Sequence, residues 1–250
     1  MEHRGQCIAV VSGKGGTGKT SFTAGVGAAL ALSGRRVLCL DCDIGLRNLD
    51  LALGLSDRTL MDFSDVAQNR CSLDLAAVEH PKIPGLFLLT APARLRGRPV
   101  TETQMTALLQ EVRRGYDFCR LDAPAGLGTG FQLATCRADR CVVVTTADAS
   151  SLRDAQHTVM ELNRFPAGAL HLVVNRVRKK LLRQLHATID DAIDKAGLPL
   201  LGVVPEDDAL PLCMNRGIPI LLADGLGAAA AYRNIAKRLQ GERVPLLRIR

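Results

Sequence analysis

The segment Gly13-Lys14-Gly15-Gly16-Thr17-Gly18-Lys19-Thr20 carries the clearest chemistry in this 250-residue chain. Its spacing satisfies G-x-x-x-x-G-K-S/T, directly after a run that reads as a strand and at the start of one that reads as a helix. Glycines at this density let successive backbone N–H groups turn inward and form a concave nest for phosphate oxygens. The helix N-terminus adds partial positive charge at the same spot. Lys19 is spaced to reach the β- and γ-phosphates of a nucleotide and the Thr20 hydroxyl to ligate Mg²⁺, with Ser21 next in the same first turn. A glycine-rich turn is the plainer alternative; position and context favour phosphate.

Carboxylates follow where such a loop needs them. Asp41 ends an apolar run and Asp43 lies two residues beyond, so one can face a metal while the other follows the departing loop. The C-terminal end of a parallel strand beside a phosphate-binding loop is where nucleotide chemistry occurs in these sheets. Asp122 closes another apolar run, Phe118-Cys119-Arg120-Leu121-Asp122. Alone that is a weak signal, but coupled to the loop it supplies a carboxylate that holds Mg²⁺ through water. Cys39 and Cys42 form a CxxC, yet an offset of three on a strand puts them on opposite faces, and ordinary buried thiols are the better reading. The histidines show no ligand spacing for zinc.

These residues need a scaffold, and the composition allows one: 47% of the chain is apolar, 23% charged. No apolar run approaches the roughly 20 residues that cross a bilayer, and no secretory leader is visible, so a cytoplasmic protein is expected. A net charge of +7 favours anionic partners, while the absence of Trp argues against base stacking. Short β-branched runs alternate with Ala/Leu-periodic stretches. Strands are expected at Cys7 to Val11, Arg36 to Asp41, Leu86 to Leu89, Phe118 to Asp122, Cys141 to Thr145, Leu170 to Asn175 and Leu200 to Val204. Helices are expected at Thr20 to Ser33, Thr101 to Gly115, Ser150 to Asn163 with a Ser cap, Leu181 to Ala196 and Gly227 to Leu239. The alternation predicts a doubly wound α/β fold, a mostly parallel sheet flanked by helices, in one domain spanning 1–250.

Lys14 sharpens the reading. A second lysine in the form K-G-G-x-G-K-T resembles the deviant Walker A motif of the MinD/ParA family of P-loop ATPases. The segment Asp41-Cys42-Asp43-Ile44-Gly45-Leu46-Arg47-Asn48-Leu49-Asp50 is similar to the switch I of the MinD branch rather than the ParA form. Asp122-Ala123-Pro124-Ala125-Gly126 is similar to its switch II, with Ala123 where a serine is usual. Thr145-Thr146 and Ser150 to Asp154 resemble the family segment near the phosphates and dimer face. Asn175-Arg176 and Gly202 to Asp207 resemble its adenine-contacting pair and base-closing loop.

The resemblance implies a SIMIBI-type P-loop fold, with ATP and Mg²⁺ as ligands and an ATP-bound homodimer in which Lys14 reaches the partner's phosphates. It implies that Asp43 orients the attacking water, that Asp41 supports the Mg²⁺ shell, and that Asn175, Arg176, Pro205, Glu206 and Asp207 contact the base. The implied output is placement of the division septum, with an activating or effector partner like MinC or MinE. The alternatives are DNA partition, flagellar-number control and metallocentre insertion. Partition would use basic patches at Arg176, Arg178, Lys179, Lys180 and Arg183 and at Arg94, Arg96 and Arg98. Members of the MinD branch usually end in a lipid-binding amphipathic helix. Here Pro245 interrupts the last segment, whose apolar residues are Leu246, Leu247 and Ile249, so membrane contact is expected to be weak or partner-dependent.

Overall fold

The computed structural model describes residues 5–94, 98–185, 188–223 and 226–247. Its elements run β1 (Gln6–Val11), α1 (Lys19–Leu32), β2 (Val37–Asp41), α2 (Leu49–Leu53), α3 (Phe63–Ala67), α4 (Leu73–Ala76), β3 (Val78–Glu79) and β4 (Leu86–Leu89). They continue with α5 (Glu102–Gly115), β5 (Phe118–Asp122), α6 (Thr129–Thr135), β6 (Arg140–Thr145), α7 (Ala149–Glu161) and β7 (Leu170–Val177). The last are α8 (Lys179–Gln184), α9 (Ile189–Ala196), β8 (Leu200–Pro205), α10 (Ala209–Asn215) and α11 (Gly227–Leu239). The eight strands form one sheet in the order β3-β4-β2-β5-β1-β6-β7-β8. Every pairing is parallel except β3 with β4 at one edge. The expected doubly wound α/β sheet is therefore present.

Each central strand feeds two cores because its side chains alternate between faces. From β1, Cys7, Ala9 and Val11 enter a core covered by α3 to α7 and α9. Ile8 and Val10 enter the opposite one, under α1, α2 and α11. Cys39 packs into this second core and Cys42 into the first. Helix α1 lies very close to the sheet. A Cβ on Gly27 would stand 2.4 Å from Cys39 Sγ, and one on Gly25 2.2 Å from the Tyr232 ring of α11. Gly25 and Gly27 thus hold α1 down, and with it the loop that precedes it.

Three expectations need correction. The single helix expected over 181–196 is two helices, because Thr188 starts a new one: its hydroxyl accepts from Asp191 N while Asp191 reaches back to its backbone. Helix α7 begins at Ala149, not Ser150; Asp148 is its cap and accepts from Ser151 N at 3.0 Å. Residues 49–79, where the sequence predicts no element, hold α2, α3, α4 and β3, each too short to show a period.

One residue breaks the apolar pattern of the sheet. Arg120, on β5, is fully buried on the α1 side, with its guanidinium 5.4 Å from the Phe22 ring. None of its three guanidinium nitrogens has a hydrogen-bond partner among the described residues. Near the far end of the chain, Arg238 donates from Nε and Nη2 to Val244 O at 3.0 and 2.7 Å, and Leu247 packs on the α1-side core. Arg96, Arg248, Ile249 and Arg250 lie outside the described residues.

Candidate nucleotide site

The loop between β1 and α1 is shaped by contacts that leave no room for side chains. Gly16 and Gly18 have φ of +79° and +85°, where a Cβ is strained. A Cβ on Gly18 would also fall 2.3 Å from Asn175 Nδ2, and one on Gly13 2.4 Å from the Asp154 carbonyl oxygen. The loop is thus seated on α7 at one end and on β7 at the other. Lys19 is buried, and its Nζ donates to Ser12 Oγ at 2.8 Å, which in turn donates to Lys14 O at 2.7 Å. Burial pulls the Lys19 pKa down, against the pull of Asp122 and Asp43.

The carboxylates gather beside Lys19. Asp41 and Asp122 are register neighbours on β2 and β5. Thr20 Oγ1 donates to Asp122 Oδ2 at 2.7 Å and Thr23 Oγ1 to Oδ1 at 3.0 Å. Asp41 accepts from Asp43 N at 2.8 Å and from Leu49 N at 3.3 Å, so it also ties down the loop from 42 to 48. Burial first, then the charge of Asp122, raises the Asp41 carboxyl to about 7. Burial raises Asp122 to about 6, partly offset by Thr20 and Lys19. Two desolvated like charges in register repel each other, and a divalent cation beside Thr20 would relieve them. The donor set fits Mg²⁺ for that reason.

A cleft of about 230 Å³ opens on the other side of the loop, lined by Gly18, Ser21, Asn175, Arg176, Pro205, Glu206 and Asp207. Asn175 donates from Nδ2 to Thr17 O at 2.7 Å, while its buried Oδ1 has no partner among the described residues. An amide acceptor left open in such a cleft suits the exocyclic N–H of adenine. Arg176, in the left-handed region at φ 55°, grips both oxygens of Glu206 at 2.9 and 3.0 Å and donates to Gly16 O at 3.1 Å. Every residue expected to touch the base therefore lines one cleft.

Lys14 stands apart from this arrangement. Its Nζ reaches the start of α7 and donates to Ser150 Oγ at 2.9 Å and to Asp148 Oδ1 at 3.3 Å.

The sequence pattern of the CobQ/CobB/MinD/ParA nucleotide-binding domain matches residues 8–220. The chain belongs to the MinD/ParA family. It is 39% identical over 248 residues to the septum site-determining protein MinD of Bacillus subtilis, covering 97% of this chain and 91% of that one. It superposes on MinD in the MinC:MinD cell division protein complex of Aquifex aeolicus with a TM-score of 0.89, at 34% identity, over 97% of this chain and 99% of that one. The Pyrococcus horikoshii MinD complexed with Mg-ADP gives a TM-score of 0.81 at 29% identity, over 94% of this chain and 95% of that one.

Within this MinD-type frame, sequence reasoning passed over five residues at the site. Ser12 holds Lys19 and Thr23 shares Asp122, but neither falls inside the loop pattern. Leu210 and Met214 line the cleft from α10, an element the sequence did not show. Asp148 had a visible signal, an Asp three residues before Ser151, which is N-cap spacing.

The raised carboxyls predict a pH dependence for the nucleotide-free protein. Between about pH 4 and pH 7 these two carboxyls keep protons that the unfolded chain has released, so their contribution to stability falls as pH rises through that window. Asp41→Asn removes the larger part of that contribution. Thermal melts between about pH 5.5 and pH 8 check this, with the Tm of wild type falling relative to that of Asp41→Asn as pH rises. Parallel profiles would refute it.

Proposed function

We propose that this chain is an ATP-driven dimerisation switch that hydrolyses ATP to ADP and phosphate and acts in placing the division septum. The observation that carries the reading is the second lysine. Lys19 already serves the loop's own phosphate site, and Lys14 is held outside that site on α7, as suits a charge meant for the nucleotide of a second copy.

The loop amides from Gly13 to Thr20, with Ser21 in the same turn, cradle the phosphates, and Lys19 neutralises the outer ones. The Thr20 hydroxyl and Asp122 would hold Mg²⁺, with Asp41 supporting them from behind. The ion would supply positive charge against the phosphate oxygens. Asp43 orients the attacking water and draws on its proton. Asn175, Arg176, Pro205, Glu206 and Asp207 enclose the adenine. An effector like MinC and an activator like MinE complete the cycle, with membrane contact weak or dependent on a partner. Of the basic residues that a DNA-partition reading would use, Arg176 is committed to Glu206 and Arg178 approaches the same carboxylate at 3.5 Å. That weakens the rival.

Light scattering of the purified chain with Mg·ATP tests the proposal. Wild type is expected to double its mass with ATP and not with ADP. Lys14→Ala keeps its far-UV circular dichroism and binds ATP but stays monomeric or loses turnover. An active ATP dimer of normal stability in this variant would remove the role in trans.

A further inference from the structure

Arg120 is a charge that the nucleotide chemistry described above does not use. It lies on β5 two residues before Asp122, so both side chains leave the strand on the face that α1 covers. Consecutive residues of α1 meet them. The Phe22 ring lies 5.4 Å from the Arg120 guanidinium, and Thr23 Oγ1 donates to Asp122 Oδ1 at 3.0 Å. Two residues along a strand advance about 6.7 Å, which makes the guanidinium and the carboxylate neighbours on one face. The guanidinium is fully enclosed, and its nitrogens have no hydrogen-bond partner among the described residues. Burial brings its pKa only to about 10, so it stays charged, supported by Cys39, Cys119 and Asp122. Both thiols stay neutral at working pH. Burial raises Cys39 to about 12, and a hydrogen bond with Cys7, then burial, raise Cys119 well above its ordinary value. Asp122 is therefore the anion of the three.

We propose that Arg120 is a positioning residue of the metal site: a fixed internal cation behind Asp122 that competes with Mg²⁺ for this carboxylate and lowers the affinity for the ion. The proposal rests on the reading above, in which Asp122 holds Mg²⁺. Thr20 and Thr23 each donate to one oxygen of Asp122, and Lys19 is the cation on the loop side. Arg120 adds a second cation to the cluster of Asp41, Asp43 and Asp122 from within the sheet. Enclosed as it is, the guanidinium keeps its charge on the site when a divalent ion arrives. The two cations then repel through an interior that salt screens little. The same charge attracts an anionic nucleotide. Arg120 thus makes ion binding depend on the phosphates that arrive with the ion.

Arg120→Met and Arg120→Leu remove the charge with two different shapes. Both are measured as the full chain at pH 8, above the raised values of Asp41 and Asp122. Mn²⁺ is the probe, its free concentration read by electron paramagnetic resonance during titration of the complex with ADP. Mn²⁺ should bind about threefold to thirtyfold more tightly in both variants than in wild type. ADP binding without metal, in EDTA, should not tighten and is expected to weaken by up to about tenfold. A merely structural Arg120 cannot give this split, because a distorted loop loses ion and nucleotide together. Unchanged or weaker Mn²⁺ binding in either variant overturns the proposal. So does a tightening of metal-free ADP alongside Mn²⁺, or failure of both variants to fold. Failure of the functional reading has a different signature: Asp122→Asn then holds Mn²⁺ in its ADP complex as tightly as wild type does.

Discussion

Asp43→Ala is expected to lower partner-stimulated turnover by about 10² to 10⁴-fold while leaving ATP binding and dimerisation in place. The residue sits at the start of the loop after β2, with its backbone N–H donating to Asp41 Oδ1 at 2.8 Å. Its own carboxyl is half-buried. Burial raises its pKa, and the nearby Lys19 ammonium pulls it back down. A carboxylate poised this way sits nearer the working pH of a general base than an exposed one. Neither the phosphate cradle nor the Thr20–Asp122 pair depends on its side chain, so binding should survive. Steady-state hydrolysis at saturating ATP, alongside a binding isotherm, checks the split. Asp43→Asn separates orientation from proton transfer, since it can hold a water but cannot take a proton. Near wild-type turnover in Asp43→Ala would move the catalytic role to another residue.

Arg120→Met is expected to stabilise the nucleotide-free protein by about 1–4 kcal/mol, against the usual direction for a change in the centre of a sheet. A buried guanidinium without hydrogen-bond partners keeps its desolvation penalty and recovers little of it, here from the Phe22 ring and from charge on groups such as Asp122. Burial brings its pKa down to about 10 against the opposing pull of Cys39, Cys119 and Asp122. Met has similar length and can fill the space left between Cys39, Ile8 and Phe22 without a charge. The contrast is Arg113, buried to a similar degree but donating to Gly5 O at 3.0 Å and Arg137 O at 2.7 Å and paired with Asp139. Arg113→Met should therefore destabilise, because it strands those acceptors. Urea unfolding at pH 8 gives both values. A lower midpoint for Arg120→Met at unchanged slope would contradict the prediction.

What was legible in the sequence is what depends on short spacing along the chain. Gly13 to Thr20 specify a loop because glycine conformations and a Lys-Thr pair are local properties, and the loop's identity survives any arrangement of the rest. The strand positions were legible for a similar reason: a strand buried on both faces writes itself as a short, continuous apolar run, as at Cys7 to Val11 and Cys141 to Thr145. Asn175-Arg176 and Pro205 to Asp207 were found only through resemblance, since nothing in their own spacing points to a base.

Tertiary structure decided the rest. Asp41 and Asp122 stand side by side only because β5 inserts between β2 and β1, a strand order set by which helices cover which face and not by any motif. Asn175 meets the loop because Gly18, 157 residues earlier in the chain, offers no Cβ to keep it away. The break between α8 and α9 was hidden because a period of 3.6 continues across Thr188, whereas a cap depends on one hydroxyl choosing a backbone N–H over water. The resting place of Lys14 was hidden most completely. A lysine in a glycine loop reads as solvated, and only the folding of β6 and α7 beside β1 brings it a carboxylate already fixed by four hydrogen bonds. Local pattern thus determined which groups this chain has for phosphate chemistry. Long-range packing determined which charges face each other, because electrostatic partners are chosen by distance in space and by burial, and neither is written in a window of neighbouring residues.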